Sequence, residues 1–210
     1  IAMIKGYQGE SLSDPRKVMA CAKHFAAGGI PYNGLNGAAT DISERTLHEV
    51  FFPPFCAAVD AKVSTIMPAH NEINGIPCHA HKPYLHDLLR NQWGFEGFYI
   101  SDWLDIERLK EVHEIVDDHK EAARVSVDAG LDMHMHGPEF YDHVLDLVNE
   151  GQLSEERINE AVGKILRTKF ELGLFNDPFV DSTKINEVVL CKEHQDFALE
   201  SALKSIVLLK

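Results

Sequence analysis

Short apolar runs alternate along the chain with segments whose apolar positions recur every three or four residues. The runs "VMACAKHFA" (18–26), "VSTIMPAH" (63–70), "GFYISDW" (97–103) and "LDMHMHG" (131–137) are short and nearly continuous, and they predict buried strands. Between them lie helical patterns. One opens at "DISERTLHEV", where Asp41 and Glu44 stand at capping-box spacing, and Pro53-Pro54 interrupts or restarts it. A second, "KPYLHDLLRNQWG", stops at Gly94 as a helix C-terminus does, and a third is "HKEAARVSVDAG". A Gly/Asn-rich loop, Gly28–Ala38, follows the first strand.

Strands that alternate with crossover helices imply a parallel sheet with right-handed connections. Four consecutive βα units are half of an eight-fold barrel, so the expected class is α/β, half of a (β/α)8 TIM-type barrel. The competing doubly wound sheet normally carries a glycine-rich phosphate loop after a strand. Here "GFEGF" precedes its strand and fits no such fingerprint. From Phe140 the pattern is helical, with "FYDHVLDLVNEG" and then "SEERINEAVGKILRTKFELGLF", where Ser154 is the N-cap candidate. These signals predict a barrel segment over 1–175, a linker over 176–200 that starts at "NDPFVD", and an apolar strand over 201–210 that opens a following domain.

Composition narrows the class. With 45% hydrophobic and 25% charged residues, the 210-residue chain can bury a substantial core. No run approaches the roughly 20 apolar residues of a membrane-spanning helix. The 20 basic and 33 acidic residues leave a net charge of −13, which argues against nucleic-acid or anionic-membrane partners. Cys21, Cys56, Cys78 and Cys191 are widely spaced without a Cys-x-x-Cys pair, which suggests buried free thiols rather than zinc or a disulfide framework. The start "IAMIKGYQGE" lacks an initiator methionine and a signal-peptide pattern, and reads as a fragment.

In a parallel barrel, ligands bind at the carboxyl ends of the strands. The first strand here ends in Lys23-His24, the second in His70-Asn71, the third in Asp102-Trp103, and the fourth in His134 and His136. Taken singly, each has an ordinary structural reading: a solvated lysine, a core histidine, an N-cap aspartate, a packed indole. Together they suit a polar, uncharged, multi-hydroxyl ligand with one face on Trp103. A metal-dependent hydrolase is a rival, because an H-x-H at a strand end is a reasonable ligand spacing. A non-catalytic sugar-binding protein is another.

In order and spacing, "AKHFAAGG", "ISERTLHEVFFPPFCAAV", "STIMPAHNEINGIPCHAH", "NQWGFEGFYISDW", "DAGLDMHM" and "INEAVGKILRTKFELGLFNDPFVD" resemble the later half of the first domain of glycoside hydrolase family 3. The resemblance covers nearly the whole chain. It implies a retaining, exo-acting glycosidase that releases a terminal β-linked sugar through a covalent glycosyl-aspartate. Asp102 falls on the family's nucleophile, and Lys23 and His24 on the pair that hydrogen-bonds the sugar. Trp103 falls on the wall for the next sugar. His70 stands where relatives commonly carry tyrosine. β-D-Glucose is favoured over xylose, and both over N-acetylhexosamine, since "KHFAAGGIPYNG" lacks the His-Asp loop of the N-acetylglucosaminidase branch. No cofactor or metal is implied.

The resemblance also implies an extracellular or periplasmic enzyme with an oligosaccharide or β-glycoside substrate. This chain would need the preceding half of the barrel, and the strand at "SIVLLK" would open an α/β sandwich domain that supplies the acid/base. Asp105, Glu107 and Asp132 are the carboxylates within the chain that could otherwise serve.

Overall fold

In the computed structural model, which describes residues 1–210, the chain divides into two units, Ile1–Gly173 and Leu174–Lys210. The first opens with helix α1 (Ala2–Gln8) and strand β1 (Cys21–Phe25). A short α2 (Glu44–Thr46) runs through a π-type turn (Leu47–Phe51) into α3 (Pro53–Asp60). Strand β2 (Thr65–Pro68) is followed by a small antiparallel hairpin, β3 (Glu72–Ile73) and β4 (Ile76–Pro77), and by a π-type helix, Pro83–Gln92. Strand β5 (Phe98–Tyr99), α4 (Arg108–Glu111), α5 (His119–Ala129), α6 (Phe140–Asn149) and α7 (Glu155–Glu171) complete it.

β1, β2 and β5 form a parallel sheet in that order, with Cys21 opposite Thr65 and Thr65 opposite Phe98. The fourth expected strand docks beside β5 through a single parallel bridge, Ile100 to Met133. Backbone bonds from Met133 N–H to the Tyr99 carbonyl and from Ser101 N–H to the Met133 carbonyl, both 2.9 Å, are joined by two side-chain bonds. The Asp132 carboxylate accepts from the Tyr99 N–H at 3.0 Å, and the Ser101 hydroxyl accepts from the Met135 N–H at 2.9 Å. Four parallel βα units in sequence are the architecture of half a (β/α)8 barrel.

Helix ends follow local chemistry. Ser154 accepts from the Arg157 N–H at 3.1 Å at the start of α7, as its position predicts. Asp118 does the same for Glu121 at the start of α5, and Gly130 closes that helix with φ 119°. The expected capping box at Asp41 is not formed. Ser43 caps α2 instead, accepting from the Thr46 N–H at 3.1 Å, while Asp41 is drawn away to the Tyr32 hydroxyl. Pro53 and Pro54 sit in the first turn of α3, where a missing N–H costs nothing, so they restart a helix rather than end one.

The core packs on the helix-facing side of the sheet. Phe25, Leu47, Phe52, Ile66, Leu85, Leu89, Tyr99 and Leu109 are all nearly or fully excluded from solvent. Each such side chain contributes about 1.5–3 kcal/mol on burial. The four thiols are free, but only Cys78 is buried, and burial pushes its thiol up to about 12.

The second unit holds a 3-10 turn (Ser182–Lys184), α8 (Ile185–Val188) and α9 (Lys192–Ser205). Residues 201–205, expected to begin a strand, lie in α9, and 206–210 pair with nothing. "KEHQDFALESALKS" is rich in good helix formers, and an extended run without a partner strand has no ladder to join. No helix is long and apolar enough to cross a membrane.

Candidate active site

β5 and the residues after it carry the central carboxylate. Tyr99 and Ser101 are fully buried, which fixes the backbone up to Asp102. The Asp102 side chain is only 13% exposed. Its Oδ1 accepts from the Trp103 N–H at 2.7 Å. Its Oδ2 lies 3.2 Å from His24 Nε2, at the end of β1, and 3.1 Å from His70 Nε2, just past the end of β2. The two imidazoles stack at 6.2 Å between centroids. Burial lowers the pKa of His24, with the Asp102 charge pulling the other way. Three strand ends thus converge on one partly buried carboxylate, as their parallel alignment requires.

Behind Asp102 is a second, more deeply buried carboxylate. Asp105 is 2% exposed and is faced by His70 Nδ1 at 2.8 Å, His79 Nδ1 at 3.3 Å and Arg108 Nε at 3.1 Å. His79 sits in the turn after the hairpin, and its Nε2 accepts from the backbone N–H of Asp102 at 3.1 Å. An acceptor at Nε2 places the ring proton on Nδ1, pointed at Asp105. Burial pushes His79 down to about 4, so the neutral ring this geometry needs is also the stable one. Asp102, His70, Asp105 and His79 therefore close a circuit that returns to the Asp102 backbone.

The other candidates sort by position. Lys23 is exposed on β1 beside His24, and its ammonium makes no hydrogen bond or ion pair. Trp103, 55% exposed, stacks on His136 at 3.9 Å and 13°. His134 instead turns to buried Glu107, at 3.3 Å, and stacks on Phe140. The two rings of "HMH" thus serve different neighbours and do not converge on one point. The tightest metal-competent group is His70, Asp102 and Asp105, with ligand atoms within 4.8 Å, and its contacts are imidazole–carboxylate pairs. Asn71 is buried and ties its loop down, donating to the Ala26 and Glu72 carbonyls and to Thr40 Oγ1. Asp132 lies away from the mouth, fully buried and held by Arg90, Arg157 and Lys164.

Beside the two histidines is a pocket of about 350 Å³ lined by His24, Gly28, Gly29, Asn36 and His70. A groove of about 440 Å³ along α1 and β1 is lined mainly by Met3, Tyr7, Met19 and Phe55. It offers no convergent polar groups and is not where chemistry would occur.

Residues 1–168 match the family model described as the glycosyl hydrolase family 3 N terminal domain. The chain belongs to glycosyl hydrolase family 3. A putative β-xylosidase of Formosa agariphila is 39% identical over 99% of this chain, which covers 28% of that protein. The periplasmic β-glucosidase of Salmonella typhimurium is 34% identical over 99% of this chain, again 28% of the relative. The β-glucosidase of Listeria innocua in complex with isofagomine superposes with a TM-score of 0.94 at 34% identity, over 100% of this chain and 30% of that structure. This family 3 chain thus spans somewhat under a third of the length of these relatives. Its parallel βα architecture agrees with the α/β class expected from strand and helix alternation.

The Asp105–His79 layer was not legible as a unit. Asp105 follows Asp102 closely and enters the sequence reading only as a spare acid, while His79 lies 23 residues away in a turn with no periodicity. Two histidines flanking "EINGIPC", together with paired aspartates after β5, were the available signal.

Proposed function

We propose that the protein carrying this chain is a retaining, exo-acting β-glycosidase that releases terminal β-D-glucose, with Asp102 as nucleophile. The observation that carries the reading is the Asp102 carboxylate, rigidly held at a strand end between His24 and His70, beside a pocket of about 350 Å³. An attacking carboxylate must be ionised and fixed in line with the anomeric carbon.

In the first step Asp102 bonds to the anomeric carbon as the glycosidic C–O bond breaks, and an acid donates its proton to the leaving oxygen. In the second, water attacks the glycosyl-aspartate, the conjugate base takes the water's proton, and Asp102 leaves as carboxylate. Lys23 and His24 would hold sugar hydroxyls, and Trp103 would form the wall for the next unit. His70 supports the nucleophile at the same carboxylate oxygen that His24 meets.

The acid/base is assigned outside residues 1–210. Asp105 is enclosed by His70, His79 and Arg108, Glu107 faces His134, and Asp132 is bound by three cations, so none is free to meet a leaving oxygen. The missing carboxylate and the preceding barrel strands would come from the remainder of a protein of the relatives' length. A β-xyloside is the second reading, because two Formosa agariphila relatives at 39% and 40% identity are named β-xylosidases.

The test uses the full-length protein. Asp102→Gly should abolish turnover of a dinitrophenyl β-glucoside, and azide should restore it with α-glucosyl azide as product. Rescue giving the β-azide, or a variant active without azide, would refute the assignment. The ratio of kcat/KM for glucoside and xyloside decides between the two sugars.

A further inference from the structure

The circuit behind the nucleophile does more than pack. We propose that Asp105 is a positioning residue that acts through His70, holding that imidazole fixed against the Asp102 carboxylate. The proposal rests on Asp102 being the nucleophile and concerns how that carboxylate is aimed.

His70 lies between two carboxylates, with Nδ1 at 2.8 Å from both oxygens of Asp105 and Nε2 at 3.1 Å from Asp102 Oδ2. Both nitrogens face acceptors, so the ring is used at both ends and cannot turn over without losing both contacts. Its main chain is also pinned, since its carbonyl accepts from His113 Nε2 at 3.2 Å. Asp105 can anchor it because Asp105 is itself immobile: 2% exposed, and gripped by Arg108 and His79 in addition to His70. Arg108 in turn packs against Gly37, where a Cβ would meet its guanidinium at 2.6 Å, so the loop 28–38 closes over this layer.

The donor count makes Asp105 hard to replace. His70 Nδ1 hydrogen-bonds it, and His79 Nδ1 at 3.3 Å and the Arg108 guanidinium at 3.1 Å lie within ion-pair distance, a donor-rich shell that suits an acceptor-only carboxylate. An asparagine has the same shape but one oxygen, and its NH2 would face a donor. One of the two histidines would then have to release its proton or rotate. Because His70 and His79 grip Asp102 at its carboxylate and at its backbone N–H, either response moves the nucleophile. Misplacement by about 1 Å can slow an in-line attack about 10²-fold.

The experiment is a double-mutant cycle in the full-length enzyme, read with a 2-deoxy-2-fluoro glycoside that inactivates by forming a slowly hydrolysed glycosyl-enzyme. Wild type must first show stoichiometric labelling at Asp102; failure there removes the parent reading and is distinct from anything the variants do. Asp105→Asn should lower the inactivation rate constant about 10²-fold, leave the reagent's dissociation constant within twofold, and still titrate fully. In a His70→Phe background the same substitution should cost at least fivefold less than in the wild-type background, the residual cost passing through His79.

His70→Gln carries the test if Asp105→Asn does not fold, because its amide nitrogen can stand where Nε2 stands. It should retain at least tenfold more activity than His70→Phe. Equal costs of Asp105→Asn in the two backgrounds, a reduced fraction of titratable sites at normal rate, or indistinguishable Gln and Phe variants would each overturn the proposal.

Discussion

Asp132→Asn separates a structural carboxylate from a catalytic one. From sequence alone Asp132 is a possible acid, since it lies near Asp102 in the chain. In the structure its side chain has no exposure. Arg90 Nη2 lies at 2.6 Å, Arg157 Nη2 at 2.9 Å and Lys164 Nζ at 3.3 Å, and the Tyr99 N–H donates at 3.0 Å. These cations come from the π-type helix and α7, so one carboxylate ties two helices to β5. Removing one partner from a buried ion pair costs about 3–5 kcal/mol, because the charges left behind are not rehydrated.

The low end applies here. Arg90 keeps the Phe95 carbonyl at 2.7 Å, Arg157 keeps the Leu131 carbonyl at 2.7 Å, and Lys164 keeps Glu160. A loss of about 3 kcal/mol at about 2–4 °C per kcal/mol for a domain of this size lowers the barrel's Tm by about 6–12 °C. Calorimetry gives the shift, and titration with a fluorinated glycoside gives kcat per active site, which should stay within about threefold of wild type. An unchanged Tm with kcat per site reduced a hundredfold would refute the assignment and return Asp132 to the chemistry.

Acid should destabilise the fold through His79. Its pKa is 6.5 when unfolded and about 4 when folded, so the unfolded chain binds the extra proton; stability is complete above pH 6.5 and falls as pH drops towards 4, by about 3 kcal/mol. His79→Gln should flatten the fall of urea midpoint between pH 7 and 4.5, and an unaltered slope would contradict the burial argument. Gly137→Ala places a Cβ on Glu107 Oε1 and should cost about 1–3 kcal/mol in denaturant unfolding, whereas a neutral result would show that the Glu107 site yields freely. Trp103→Ala, which removes the exposed face stacked on His136, should raise KM for a β-linked disaccharide about tenfold, equivalent to about 1.4 kcal/mol, and leave inhibition by free monosaccharide unaltered. Equal losses for both ligands would place the indole elsewhere.

The parts of the fold that are local in sequence were legible. Ser154 caps α7 because capping needs only a hydroxyl three residues before an N–H, and the parallel sheet follows from apolar runs separated by crossover helices. What failed depended on distant partners. Asp41 has the right spacing for a cap but finds Tyr32, brought back by the loop 28–38. The fourth strand is reduced to one bridge, with Asp132 and Ser101 adding side-chain bonds to backbone groups beside it. Residues 201–205 are helical because intrinsic preference decides where no strand pairs.

The site divides the same way. His24, His70 and Asp102 were visible because strand ends share one rim, and the structure joins all three at one carboxylate. His134 and His136 were visible as a pair but are sent apart, one to Glu107 and one to Trp103. Burial in three dimensions, not spacing, turned Asp105 from a spare acid into the anchor of two imidazoles.

The central claim is that Asp102 forms the covalent bond to the sugar. The direct measurement is mass spectrometry of peptides from the full-length enzyme after inactivation with a 2-deoxy-2-fluoro-β-glucoside bearing a good leaving group. The account predicts one fluoroglucosyl adduct per chain, on the peptide containing "GFYISDWLDIERL" and, on fragmentation, on Asp102 itself. An adduct on Asp105, Glu107 or any residue other than Asp102 would contradict it.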